Sequence, residues 1–337
     1  MLIGINYHYL RDSFTSPFPG IHGITPAQLE AQLSVLASSG EFVSAEQIRA
    51  AVRGHFSLPE RAIIVTFDDG LREQYELAWP ILQSLRIPAI FFINTGPLAS
   101  GKVLQVHKIH LLRANVAPQE LADKLQMRAV DEGINFDLEH ECEAALVHYN
   151  YDSPEAARLK YLLNFSLNPA ERDLLIEVLF AEIFPGQEAA ISRHLYMNVE
   201  QINELGRRGC IGTHTHEHLP LGLLPAALAE QQLELSLAHL EKWAGYRPYA
   251  LSYPYGARDA CSVGVGDMAA RLGIEFAFTM ERAGNCDLLR SLHLARFDCN
   301  DLPGGKAAQW QQVDMFDTVP ISNWWGQPER AVCSSFA

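Results

Sequence analysis

Short unbroken apolar runs alternate along the chain with longer stretches in which apolar positions recur every three or four residues. "LIGINYHY" is a run of β-formers and predicts a first strand. "GITPAQLEAQLSVLASSG" follows. Thr25 serves as N-cap, Pro26 sits at the first helical position, and Gln28 completes a capping box. Leu29, Leu33 and Leu36 mark one helical face, and Gly40 ends it. "FVSAEQIRAAV" repeats the theme with Ser44 and Gln47. "AIIVTF" is continuously apolar, as strands buried on both faces of a parallel sheet are. "LREQYELAWPILQSLRI" reads as helix and "PAIFFINT" as the next strand. This βαβα rhythm belongs to a barrel or a doubly wound sheet.

From about Leu98 to Tyr196 the patterns turn mostly helical, as in "VHKIHLLRA", "PQELADKLQMR" and "PEAARLKYLLNFSL". The rhythm returns with a helix capped by Asn198, the strand "CIGT", the helix "LPAALAEQQLELSLAHLEKWAG", and strands at "YALSYPYG", "EFAFT" and "HLARFD". The expected organisation is an α/β unit, barrel or doubly wound sheet, in two parts, 1–97 and 197–300. A helical insertion spans 98–196 in a βα loop, and a C-terminal tail without clear period spans 301–337. The insertion has the character of a lid, a dimer surface or a spacer.

Composition narrows the function. The chain has 337 residues, of which 48% are apolar and 20% charged, enough for a large core in a soluble protein. A formal charge of −14 with no basic run repels phosphate backbones, so nucleic acid is set aside as a partner. The 6 cysteines are scattered without a CxxC pair, so reduced buried thiols are expected. The N-terminal residues lack the basic and apolar regions of a signal peptide, and no apolar run approaches the ~20 residues of a membrane helix. The expected location is the cytoplasm. Oligomeric state is not legible.

Two features carry chemistry. "TFDDG" places Asp68 and Asp69 side by side where an apolar strand ends. Adjacent buried carboxylates repel, so they need a cation or a proton. "GTHTHEHLPL" places His214, His216 and His218 within five residues of another strand's end. On a helical turn, His214 and His218 would share a face, leaving His216 to pack elsewhere. Two imidazoles and one carboxylate make an open divalent-metal site. One aspartate then serves as ligand, and its neighbour as a base toward water.

"TFDDG" together with "HTHEH" resembles the polysaccharide deacetylase (NodB homology) family, carbohydrate esterase family 4. That resemblance implies a distorted parallel (β/α) barrel with its site at the C-terminal strand ends. It implies Asp68 as general base and Asp69, His214 and His218 as ligands, with Thr215 in the family's Ser/Thr position. "SYPYG" matches a further family motif, which implies that the backbone N–H of Tyr255 helps hold the oxyanion. The resemblance covers about residues 1–97 and 197–300 and leaves the insertion and the tail outside. Two departures stand out. Many relatives carry Arg before P-Y-G, where Ser252 stands here. Many carry a late Leu-x-x-His acid, yet no His follows residue 300. Arg296 is the candidate to replace the arginine, and His293 or His8 to supply the acid. His22 is a further histidine that could reach the barrel mouth.

The implied reaction is metal-assisted hydrolysis of a linear amide on an N-acylated, most often N-acetylated, amino sugar of a glycan, glycan precursor or nucleotide sugar. Zn²⁺ is the expected ion, although Co²⁺, Ni²⁺, Fe²⁺ and Mn²⁺ suit the same ligands. The alternatives are an amidase on a non-sugar cyclic amide, a barrel that binds glycan without turnover, and a non-haem Fe(II) oxygenase. The last leaves the second aspartate idle.

Overall fold

In a computed structural model, residues 1–13, 21, 23–134, 145–146, 153–163, 167–310 and 315–326 are described. They fall into two compact units, one drawn from Met1–Asp12, Gly23–Ser100 and Arg193–Ala337, the other from Ser13–His22 and Gly101–Ser192.

The first unit is built on a parallel sheet. Its strands are β1 Leu2–Tyr7, β2 Glu41–Phe42, β3 Ala62–Phe67, β4 Ala89–Ile93, β5 Ile211–Thr213, β6 Ala250–Ser252, β7 Phe276–Phe278 and β8 Arg296–Asp298. They run in the order β7-β6-β5-β4-β3-β1-β8, with β2 paired to β3. A parallel bridge joins Phe278 to Leu294, just ahead of β8, so the sheet nearly closes into a barrel. This is the distorted (β/α) barrel of the NodB type. The three longest strands are buried at every position, because helices cover one face and the barrel interior the other.

Alternation along the strands sorts the side chains. Leu2, Ile64, Ile90, Phe92, Phe276 and Phe278 cluster inside. Ile3, Ile5, Val65, Phe67 and Phe91 pack outward with Leu29, Leu33 and Leu36 of the helix Pro26–Ser39. That helix and Ala45–Val52 begin with the expected capping boxes at Thr25 and Ser44. Near the C-terminal strand ends the interior turns polar. Asn6, Thr66, Ser252 and Arg296 are fully buried there. Gly4 makes room for the arginine: a Cβ on Gly4 would lie 2.8 Å from Arg296 Cβ.

The described residues after 300 belong to this unit. Trp310 packs edge-on against Phe297 at 4.6 Å. Ile321 pairs with Gly284. Glu281 accepts hydrogen bonds from Asn323 N at 2.6 Å and Trp324 N at 3.0 Å. The expectation of reduced thiols meets free Cys210, Cys261 and Cys299, but Cys286 is disulfide-bonded.

The second unit is helical, with Gln105–Asn115, Pro118–Asp131, Pro154–Tyr161 and Pro169–Ile183. Prolines at the first helical positions and caps at Ser153 and Asn168 start three of them. Lys108 is fully buried and neutralised by Glu177 at 2.6 Å and Glu188 at 2.8 Å.

Candidate active site

The strand ends assemble the chemistry. Asp68 and Asp69 follow β3, His214 follows β5, His8 follows β1, and Asp298 ends β8. Asp69, His214 and His218 are buried, and their ligand atoms lie within 4.8 Å of one another. The Nε2 atoms of both histidines are 3.5 Å from Asp69 Oδ1. This is long for a hydrogen bond and suited to ligands that share an ion. His214 Nδ1 lies 2.7 Å from the Ser252 carbonyl oxygen, an acceptor only. The ring proton therefore sits on Nδ1, and the lone pair of Nε2 faces Asp69, as a metal-ligating imidazole requires. The residues present fit a divalent cation. Among the described residues this is the only such cluster.

The histidines do not meet through a helical turn. Residues 214–219 form an irregular loop in which Thr215 and His218 have φ of 67° and 58°. Two left-handed residues fold the chain back and bring the rings to 4.8 Å. Asp69 is also left-handed, with φ of 76°. Thr215 is fully buried beside the ligands, and His216 turns away to Thr95 Oγ1 at 2.8 Å. Asn94 donates its side-chain amide to the His214 carbonyl.

Asp68 has a different environment. Arg296 donates from Nη1 to Oδ1 at 3.0 Å and from Nη2 to Oδ2 at 2.5 Å. Oδ2 also accepts from Asn6 Nδ2 at 3.0 Å and Ser252 Oγ at 3.1 Å. Burial alone would push this carboxyl up. The Arg296 guanidinium, His214 and the hydrogen bonds outweigh it and hold Asp68 below its ordinary value. Burial pushes His214 down, against the pull of the two aspartates. Arg296 is thus brought to the carboxylate that the motif arginine would serve, and Ser252 donates to the same oxygen.

His8 lies between two carboxylates. Its Nε2 is 3.9 Å from Asp68 Oδ2 and its Nδ1 is 3.9 Å from Asp298 Oδ2, and its side chain is 37% exposed. It sits at the mouth, within reach of both the base and solvent. Tyr255 is left-handed at φ 62°, with its ring edge-on to His218 at 4.9 Å.

Of the two candidates for the acid, His8 stands at the site and His293 is not brought to it. Successive residues at the end of β6 face opposite ways: Ser252 inward to Asp68, Tyr253 outward. His293 packs with Tyr253 at 6.0 Å and Trp325 at 5.0 Å, and its ring occupies the space above Gly266. It belongs to the outer layer. His22 lies outside the described residues. Asn6, Asn94 and Gln74 also support the site, yet uncharged amides inside strand or helix patterns gave no signal beforehand.

The profile of the polysaccharide deacetylase family matches residues 56–136 and 175–277, more than half of the chain. The chain belongs to the polysaccharide deacetylase family. The match includes Asp68, Asp69, His214, His218 and Tyr255, and stops short of His8 and Arg296. It also runs through 98–136 and 175–196, which the motif resemblance leaves outside. A poly-β-1,6-N-acetyl-D-glucosamine N-deacetylase of Escherichia coli strain K12 is 34% identical over 90 residues, 26% of this chain and 13% of that protein. The chain thus matches only a small part of that relative's length. Two solved structures share the fold. A de-N-acetylase from Aggregatibacter actinomycetemcomitans aligns at 17% identity with TM-score 0.55, covering 91% of this chain and 97% of that one. A Streptococcus pyogenes deacetylase in complex with acetate aligns at 15% identity with TM-score 0.52, covering 88% and 91%.

Proposed function

We propose that this chain is a metal-dependent hydrolase that removes the N-acetyl group from N-acetylglucosamine residues of a glycan. The observation that carries this reading is the buried Asp69–His214–His218 cluster beside a second carboxylate, Asp68, held by Arg296. The Escherichia coli relative's name supplies the substrate class. Zn²⁺ is the proposed ion, from two imidazole nitrogens and one carboxylate oxygen.

A divalent cation bound there supplies a Lewis acid that polarises the acyl oxygen and eases deprotonation of water. Asp68, kept ionised by Arg296, takes the proton from the attacking water. The backbone N–H of Tyr255 donates to the developing oxyanion. His8 gives a proton to the leaving amine. Its ring stands between Asp298 and Asp68, 3.9 Å from a carboxylate oxygen of each, so the acid stands beside the base at the mouth. A base and an acid on separate strand ends suit amide hydrolysis, in which an amine must leave protonated.

The test pairs metal content with turnover. Wild type should carry about one equivalent of metal, and His214→Ala little. Asp68→Asn should keep the metal and lose roughly 10²-fold or more of acetate release from N-acetylglucosamine oligomers. Wild type that holds metal but releases no acetate from these or from nucleotide sugars, while binding glycan, would leave the binding-barrel reading standing. Turnover of cyclic amides alone would favour the amidase. Free thiols throughout would favour a cytoplasmic location. The disulfide at Cys286 argues for an oxidising compartment instead, and alkylating native protein before reduction decides between them.

A further inference from the structure

The β1–β3 ladder ends where the site begins. Asp68 N donates to the Tyr7 carbonyl at 3.0 Å, and beyond that bond the two chains diverge. The next carbonyls, of His8 and Asp68, have no strand partner to continue the ladder. Both accept from one side chain. Gln74 Nε2 donates to the Asp68 carbonyl at 2.5 Å and to the His8 carbonyl at 2.9 Å. Gln74 Oε1 accepts from Leu71 N at 3.2 Å, inside the turn that follows the left-handed Asp69. The amide is fully buried. Its two N–H donors and its carbonyl are all used, so it acts as an extra rung that no other uncharged side chain of this length could form.

The local helix geometry supports this placement. Residues Gln74–Ala78 form a π-helical turn, in which Trp79 N bonds to the Gln74 carbonyl, ahead of the helix Trp79–Leu85. Pro80, with no N–H, occupies the second position of that helix. Such turns inside helices recur at functional sites. The preceding residue reinforces the tie. Glu73 Oε1 accepts from Leu10 N at 2.9 Å, and Arg11 Nε lies 3.6 Å from Oε2. Two consecutive side chains therefore fasten the His8–Arg11 segment to the segment that carries Asp68.

We infer that Gln74 is a positioning residue that sets the proposed acid His8 against the proposed base Asp68, by bonding the backbone carbonyl of each. This rests on the acid–base reading above. A displacement of about 1 Å in such a pair is enough to cost up to roughly 10²-fold in rate.

The test uses leaving-group dependence. An aryl acetate expels a phenolate that needs no proton, whereas an N-acetyl amide must leave as a protonated amine. Gln74→Met keeps the length and removes all three hydrogen bonds. It should lose roughly 10- to 100-fold of kcat on an N-acetylglucosamine oligomer and less than about threefold on an aryl acetate, with metal content and KM near wild type. His8→Ala should show the same selectivity, and in that background Gln74→Met should cost little more. Equal losses on both substrates, or additivity in the double variant, while His8→Ala remains selective, would overturn the inference alone. A His8→Ala variant that is not selective would overturn the acid assignment and the inference with it. Thermal unfolding of each variant checks folding. Should Gln74→Met not fold, Gln74→Glu carries the same comparison, because it keeps the shape and, when protonated, one O–H donor.

Discussion

Asp68 accepts hydrogen bonds from both Arg296 Nη atoms, Asn6 and Ser252, and the guanidinium between them has no exposure to water. Burial and the arginine act on the carboxyl in opposite directions, burial upward and the guanidinium downward. Arg296→Met removes the main group that opposes burial, leaving His214, Asn6 and Ser252, and the folded-state value of Asp68 rises. The ionised fraction at a given pH then falls, so the acid limb of kcat/KM should move to higher pH by a unit or more, roughly. Stability follows the same sign. In wild type the depressed value stabilises the fold above the ordinary carboxylate range, and that contribution is lost as pH falls through the folded value. In Arg296→Met that contribution shrinks, so the variant's neutral-pH loss of about 3–5 kcal/mol should narrow on acidification. Urea unfolding at several pH values, beside the pH–rate profile, checks both. An unchanged acid limb would mean that another group sets it. At this scale the sequence was uneven. Asp68, Asp69, His214 and His218 stand in short motifs whose chemistry is local. Arg296 and His8 could only be named as candidates, because what brings them to Asp68 is strand pairing across most of the chain. His293 stands in the short 3-10 turn Ser291–His293 ahead of β8, where it packs on Tyr253 and Trp325, and nothing in the sequence marks that turn.

Strands were more legible than turns. "AIIVTF" and "PAIFFINT" fold as read, since an unbroken apolar run buried on both faces has few alternatives. The turn after β5 was read as a helical face, and it is a loop with two left-handed residues that are neither glycine nor asparagine. Nothing in "HTHEH" marks that strain, which persists because the surrounding structure holds it. The contact between β1 and β8 has its own requirement. Gly4 pairs with Arg296, and a methyl at Gly4 would meet Arg296 Cβ at 2.8 Å and the Ala295 carbonyl oxygen at 3.3 Å. Gly4→Ala must therefore push β8 away and loosen the arginine from Asp68. The expected result is a loss of about 1–3 kcal/mol, with kcat reduced and metal content kept. Denaturant titration with metal analysis would detect it. Full activity would mean that the strands part without moving the guanidinium.

Across the whole molecule, the ligands come from strand ends far apart in sequence, Asp69 after β3 and His214 and His218 after β5. They come together only when β3, β4 and β5 have paired in order. An ion held there binds the folded chain and has no comparable site on the unfolded one, so metal concentration should control stability. At a hundredfold excess over Kd the gain is about 2.7 kcal/mol. For a unit of this size it should raise Tm by roughly 5 °C or more, and a chelator should remove it. All three ligands stand in the barrel unit, so the shift is expected from that unit. His218→Ala separates linkage from general salt effects. Its Tm should sit at or below that of chelated wild type and should not respond to added metal. Calorimetry with and without chelator gives the answer. A metal-dependent rise that survives in His218→Ala would move the ion to other residues and detach the base from its cation.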